Sequence, residues 1–171
     1  VLVLDASGSM RESDWPPNRL DAAKEAARSF CERLAEDQPG AGIAIIAYGT
    51  AAKTMCRMTP ARELGRLTES IDRISNLGGT NIRAGLKEAE RLLQYSGHNT
   101  HRSPSSIAES LRERATIDCV GIGGQPADVD ETLLKKIASS NPDGTKRYRW
   151  IGDRQRLVKH FNAIAGRISR T

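Results

Sequence analysis

The chain opens Val1-Leu2-Val3-Leu4-Asp5-Ala6-Ser7-Gly8-Ser9-Met10, and the reading of this stretch decides the fold. An unbroken apolar run of this kind suits a strand covered on both faces, which places it inside a parallel sheet rather than at a solvated surface. The run ends on a carboxylate, and hydroxyls stand at alternate positions beyond it in Ser7 and Ser9. Oxygen donors therefore stand together on one side of the turn that leaves the strand.

Outward from this stretch, short apolar runs alternate with helical patterns. Leu20, Ala23, Ala27, Phe30 and Leu34 recur at helical spacing through 19–35. Residues 42–48 read as a second buried strand halted at Gly49, and 54–58 as a short edge strand. Leu64, Leu67 and Ile71 mark one helix, and Ile82, Leu86, Ala89 and Leu93 mark another. A helix over 107–114 precedes a strand over 116–122 that stops at Gly123-Gly124. A helix over 133–138, a short strand over 148–151 and a helix over 157–168 complete the pattern. The alternation predicts a single α/β domain over 1–171, doubly wound, with a mainly parallel central sheet flanked by helices. Such sheets bind ligands beyond the carboxyl ends of their strands, which is where Asp5, Ser7 and Ser9 lie.

One interval breaks the alternation. Between the helix ending near Leu93 and the one beginning near Ile107, residues 94–106 carry no apolar run and read as loop. Two successive helices leave the sheet one strand short. Either a strand is absent between about 94 and 106 or the fold departs from simple alternation, and the first reading is preferred.

Composition narrows the function. Hydrophobic residues at 38% and charged residues at 27% belong to a globular chain rather than a disordered one. No apolar run is long enough to span a bilayer. The net charge of +5 is concentrated late, in Lys146, Arg147, Arg149, Arg154, Arg156, Lys159, Arg167 and Arg170. Aromatic residues make up only 4%, and no basic run is interleaved with stacking residues, so solvated helix faces are expected rather than a nucleic-acid surface. Cys31, Cys56 and Cys119 form no CxxC pair, and their odd number argues against a disulfide framework. Buried free thiols are expected, with a lean toward a reducing, cytoplasmic compartment. The chain begins within an apolar run and without a signal peptide, which reads as a domain excised from a longer polypeptide or a trimmed chain.

Hard cations such as Mg²⁺ take oxygen ligands in octahedral array. Ser hydroxyls are neutral and leave much of the metal's charge unsatisfied, so such a site seeks an anionic group from outside. Asp5-x-Ser7-x-Ser9 after a hydrophobic strand, with Gly78-Gly79-Thr80-Asn81 much later, resembles the metal-ion-dependent adhesion site of von Willebrand factor A domains. Ile45-Ile46-Ala47-Tyr48-Gly49 stands where that family has its second strand, and Val120-Gly121-Ile122-Gly123 resembles its fifth. The resemblance implies a Rossmann-like sheet and a Mg²⁺ (or Mn²⁺ or Ca²⁺) held by Asp5, Ser7, Ser9 and Thr80. It further implies a protein partner whose Asp or Glu completes the metal's shell. Taken apart from the resemblance, Gly78 to Asn81 equally suits a loop in which Thr80 caps the helix from Ile82.

The sequence departs from the family at one point. The family carries a second aspartate after its fourth strand. Ser96-Gly97-His98-Asn99-Thr100 resembles the family segment just beyond that strand, with the aspartate absent. No acid occurs between Glu90 and Glu109, and loss of one carboxylate weakens hold on a hard cation. A metal-free scaffold is therefore an alternative. So, more remotely, is a phosphatase-type enzyme with Asp5 as nucleophile, although no Walker lysine and no Gly-x-Ser-x-Gly elbow occurs; no catalytic residue is assigned. Among other candidates, His98 and His101 lack a third ligand at sensible spacing. Asp118 reads as mid-strand, Asp14 and Asp128 as loop or helix-start residues, and Asp130 as an acid at a helix start. Trp15 suits either partner contact or packing beneath the metal loop.

Overall fold

The structure, a computed structural model, describes residues 1–93, 103–113 and 115–168. Its elements run β1 (Leu2–Asp5), α1 (Arg19–Asp37), β2 (Gly42–Tyr48), β3 (Ala52–Pro60), α2 (Leu64–Asp72) and α3 (Ile82–Leu92). They continue as α4 (Pro104–Arg112), β4 (Cys119–Ile122), α5 (Glu131–Ile137), β5 (Tyr148–Ile151) and α6 (Arg154–Ile168). The architecture is α/β, as the alternation predicts.

β1 runs parallel to β2, and β2 pairs antiparallel with β3 at the edge. β4 runs parallel to β5. The described strands thus form two ladders, β1-β2-β3 and β4-β5. One helix covers both. Ala23, Ala27, Phe30 and Leu34 of α1 join Leu4, Ile43, Ile45 and Ala47, while Ala22 and Ala26 of the same helix join Ile151 and Leu157 of α6. Ile122 and Phe161 pack against both groups, so the core is continuous across the two ladders. Side chains alternate along a strand, and Val3 faces away from Leu2 and Leu4, toward Gly85 of α3. On that face Leu86, Ile107, Leu111 and Ile137 from α3, α4 and α5 form a second core layer, with Cys119 against it.

β2 is the most protected strand. Its apolar residues from Ile43 to Ala47 are at most 2% exposed, and burying each Ile contributes about 2 kcal/mol. α1 starts where the Asn18 side chain accepts from the Asp21 amide at 2.8 Å.

Several boundaries differ from the sequence reading for local reasons. α4 begins at Pro104, not Ile107, because Ser103 caps it through the Ser106 amide at 3.2 Å and Pro104 occupies the first turn. β4 begins at Cys119, not Thr116: the Ile117 amide is spent on Ser139 Oγ at 2.9 Å, and Asp118 pairs with Arg147 and Arg167 just before the strand. β3 is longer than 54–58 and is irregular against β2, with register shifts at Ile43/Ile45 and Ile45/Ile46. α6 begins at Arg154 because Asp153 accepts from the Arg156 amide at 2.8 Å. Residues 94–102, the heart of the interrupted interval, lie outside the described residues, as do His98 and His101. No described helix is long and apolar enough to cross a membrane.

Candidate metal centre

Asp5 closes β1, and the chain turns sharply through Ala6 and Ser7 into a single 3-10 turn over Gly8–Arg11. The Ser7 amide donates back to Asp5 Oδ1 at 2.7 Å, an Asx-type bond that folds the loop over the strand end. This curl brings Ser7 Oγ and Ser9 Oγ within 3.2 Å of each other. Adjacent oxygens of an octahedral Mg²⁺ shell, with ligands at about 2.0–2.1 Å, stand about 3 Å apart, so this hydroxyl pair fits two neighbouring positions. Ser7 is 1% exposed, whereas Ser9 is exposed and Asp5 half-buried. The other Asp5 oxygen, Oδ2, accepts from the Tyr48 hydroxyl at 3.3 Å across the β1–β2 pair. Burial and the neighbouring Asp5 charge push the Tyr48 phenol well above its ordinary pKa, so it stays a donor to the carboxylate.

The Gly-Gly-Thr segment is stitched to this loop. The Gly8 amide donates to the Gly78 carbonyl at 2.6 Å, the Leu77 amide to the Ala6 carbonyl at 2.7 Å, and Asn76 Nδ2 to the Ser7 carbonyl at 2.9 Å. Thr50, just past β2, receives the Gly79 amide on its hydroxyl at 2.8 Å and gives its own amide to the Leu77 carbonyl at 2.9 Å. Gly78 has φ 85°, a conformation glycine adopts without steric cost. Asn81, not Thr80, caps α3: its side chain accepts from the Ala84 amide at 3.1 Å. That corrects the capping role the loop reading gives to Thr80. The Thr80 side chain is exposed and makes no hydrogen bond with the described residues, which leaves its hydroxyl available. Tyr48, Thr50 and Asn76 escape the sequence reading, since single polar residues at strand and loop ends carry no periodic signal.

The remaining acids near the loop are engaged elsewhere. Arg19, 4% exposed at the start of α1, gathers Glu12, Asp14 and Asp128 at 2.7, 2.6 and 2.8 Å. Its guanidinium bonds hold the Asp14 carboxyl below its ordinary pKa. Asp128 also accepts from the Gln125 amide at 3.2 Å, and Asp130 caps α5 through the Leu133 amide at 2.9 Å, as expected of an acid at a helix start. Trp15 is 4% exposed and packs beside Ala22 and Ala26 of α1 and Leu157 of α6, so it is a core residue rather than an exposed partner contact. Among the described residues no group of three His, Cys, Asp or Glu side chains is placed to hold a metal ion, and Asp5 is the carboxylate that bonds into the hydroxyl loop.

A parallel-sheet core with a hydroxyl-lined loop at the carboxyl end of its first strand defines a class, and comparison identifies it. The profile of the von Willebrand factor type A domain matches residues 1–107. The chain belongs to that family, whose domains are generally protein–protein interaction modules rather than enzymes. It is 33% identical over 150 residues to a UPF0353 protein of Mycolicibacterium gilvum, a match covering 85% of this chain and 37% of that protein. The chain thus spans just over a third of the curated relatives it matches. Among solved structures, it overlays the vWF domain of the type V pili tip protein Mfa5 from Porphyromonas gingivalis with a TM-score of 0.78 at 13% identity, covering 98% of this chain and 93% of that one. A von Willebrand factor type A protein from Catenulispora acidiphila overlays with a TM-score of 0.71 at 21% identity, covering 96% and 41%. These overlays establish the fold.

Proposed function

We propose that the chain is a metal-ion-dependent interaction module that binds a partner's Asp or Glu through Mg²⁺ held by Asp5, Ser7, Ser9 and Thr80. The observation that carries the reading is the 3.2 Å approach of the Ser7 and Ser9 hydroxyls beside Asp5. When bound, Mg²⁺ supplies a Lewis-acidic position open to an external carboxylate. The protein's own residues set the terms of that contact. Asp5 provides the single charge, oriented by the Ser7 amide and the Tyr48 hydroxyl. Ser7 and Ser9 provide neutral oxygens that leave positive charge to be satisfied from outside. Thr80 brings a further hydroxyl on a loop fastened to Ser7 and Gly8.

A second reading, a metal-free scaffold, is favoured because no three acidic, histidine or cysteine side chains among the described residues are placed to hold an ion, and affinity for hard cations depends on ligand charge. Calorimetric titration with Mg²⁺ and Mn²⁺ decides between them. Saturable binding that disappears in Asp5→Ala and Ser9→Ala, with both variants still folded by circular dichroism, supports the metal-dependent reading. A wild-type protein that takes up neither ion leaves the scaffold reading standing.

A further inference from the structure

The turn that carries Ser9 has little of its own to hold it. It closes through the Met10 amide on the Ser7 carbonyl at 3.1 Å and the Glu12 amide on the Ser9 carbonyl at 3.2 Å. One isolated turn does not sustain itself, because fixing its dihedrals costs more than so few hydrogen bonds offset. Ahead of Ser9 the loop is fastened by the Gly8–Gly78 and Ser7–Asn76 bonds. Past Ser9, beside the buried Met10 side chain, the support comes from Arg19, which grips Glu12 at two points. The Arg19 backbone amide donates to the Glu12 carbonyl at 3.1 Å, and Arg19 Nη2 stands 2.7 Å from Glu12 Oε2.

The same guanidinium reaches a second loop. Its Nε and Nη2 form a fork on Asp14, at 2.9 Å to Oδ1 and 2.6 Å to Oδ2, and Nη2 also donates to Asp128 Oδ2 at 2.8 Å. Asp128 ends the short 3-10 turn Pro126–Asp128 between β4 and α5, where the Gln125 amide fixes it. Gly123 and Gly124 let the two loops close on each other. A Cβ on Gly123 would stand 2.7 Å from Asp128 Cβ, and one on Gly124 would stand 2.6 Å from Asp14 Oδ2. One acid would neutralise a buried arginine; three acids drawn from two loops do more than that. A planar guanidinium has donors in fixed directions, so bonding to both loops at once sets their relative geometry.

We propose, on the metal-dependent reading of Asp5, Ser7, Ser9 and Thr80, that Arg19 is a positioning residue of the metal centre. It latches the hydroxyl loop to the loop between β4 and α5, so that Ser9 keeps its place beside Ser7. The route is continuous: Asp128 and Asp14 orient Arg19, Arg19 holds Glu12, and the Glu12 amide holds the Ser9 carbonyl. The Gly123-Gly124 pair, which the sequence pattern marks only as the end of a strand, is what admits the two aspartates to the same guanidinium.

Gly124→Ala tests this from the far side of the latch. It alters no charge, lies at an exposed position, and drives the Asp14 carboxylate off its place. Arg19→Lys keeps the charge but loses the fork. Three quantities are measured on both variants and wild type: Mg²⁺ affinity by calorimetry, the urea midpoint, and hydrogen exchange at the Glu12 amide in metal-free protein. In Gly124→Ala, Mg²⁺ affinity is expected to fall about tenfold, as for lost partners of metal ligands. Exchange at the Glu12 amide should rise about tenfold through local opening, while the β2 amides and the urea midpoint hold. Arg19→Lys should show the same pattern more strongly; if it does not fold, Gly124→Ala carries the test. Wild-type binding of Mg²⁺ with unchanged affinity in the variants would overturn the positioning role, as would affinity that merely tracks the urea midpoint. Wild-type protein that takes up no Mg²⁺ would instead overturn the metal reading. The exchange arm, run without metal, then still decides the latch, which fails if the Glu12 amide keeps its wild-type rate.

Discussion

The Gly8 amide and the Gly78 carbonyl, 2.6 Å apart, tie the loop that carries Ser7 and Ser9 to the loop that carries Thr80. These halves of the motif lie far apart in sequence, and each is unremarkable alone. Their joining rests on backbone bonds that depend on a left-handed residue, Gly78 at φ 85°.

Gly78→Ala is therefore expected to be costly out of proportion to its size. The added Cβ would stand 2.7 Å from Thr50 Oγ1 in a conformation L-residues avoid, at a cost of about 1–2 kcal/mol. Urea denaturation reads that loss. Calorimetry should show Mg²⁺ affinity falling further, because the loop carrying Thr80 shifts; unchanged affinity would mean that the Gly8–Gly78 bond does not position the site.

Tyr48→Phe isolates the support given to Asp5. The variant keeps the ring that lies against Gly85 but deletes the hydroxyl 3.3 Å from Asp5 Oδ2. Stability should fall by about 1 kcal/mol or less, as for one long hydrogen bond. Mg²⁺ affinity should weaken by about three- to tenfold, at the mild end for lost partners of metal ligands.

Arg19→Met leaves Glu12, Asp14 and Asp128 close together without their cation. Because the acids keep part of their solvent exposure, the expected loss is about 2 kcal/mol, less than for a fully buried pair. The pH dependence has a definite sign. Asp14 is depressed below 3.8 by Arg19, so its contribution is full above that value and is lost as pH falls through the lowered one. The stability gap between wild type and Arg19→Met should thus be widest near neutrality and narrow below about pH 4. A gap independent of pH would mean that Arg19 acts through packing alone.

The Cys31 and Cys119 thiols should be inert while the protein is folded. Burial pushes Cys31 and Cys119 up to about 12, which leaves almost no thiolate at about pH 8. A disulfide-exchange reagent should label them only after denaturant is added; rapid labelling of the native protein at either position would contradict the upward shift of that thiol.

Much of the fold is legible in the residues alone. The limits of β2 can be read directly, because a strand covered on both faces needs an apolar side chain at nearly every position. The β1 turn is legible because a carboxylate and spaced hydroxyls at a strand end are a local pattern. Hydrophobic spacing falls short at α4, β4 and α6, where the boundary is set by one side chain bonding one amide, as in Ser103 to Ser106 or Asp153 to Arg156. At α4 the Ser-Pro pair is itself the signal of a helix start, and apolar periodicity takes no account of it.

By itself, then, the sequence determined the class of fold, the order of elements and the identity of the hydroxyl loop, because hydrophobic period and turn chemistry act over a few residues. Tertiary structure decided the rest. It assigned the α3 cap to Asn81 and so left Thr80 without a partner among the described residues, and it spent Glu12, Asp14 and Asp128 on Arg19 rather than on the hydroxyl pair. Each of these depends on which distant groups compete for the same hydrogen-bond partner, and only the folded chain brings the competitors together.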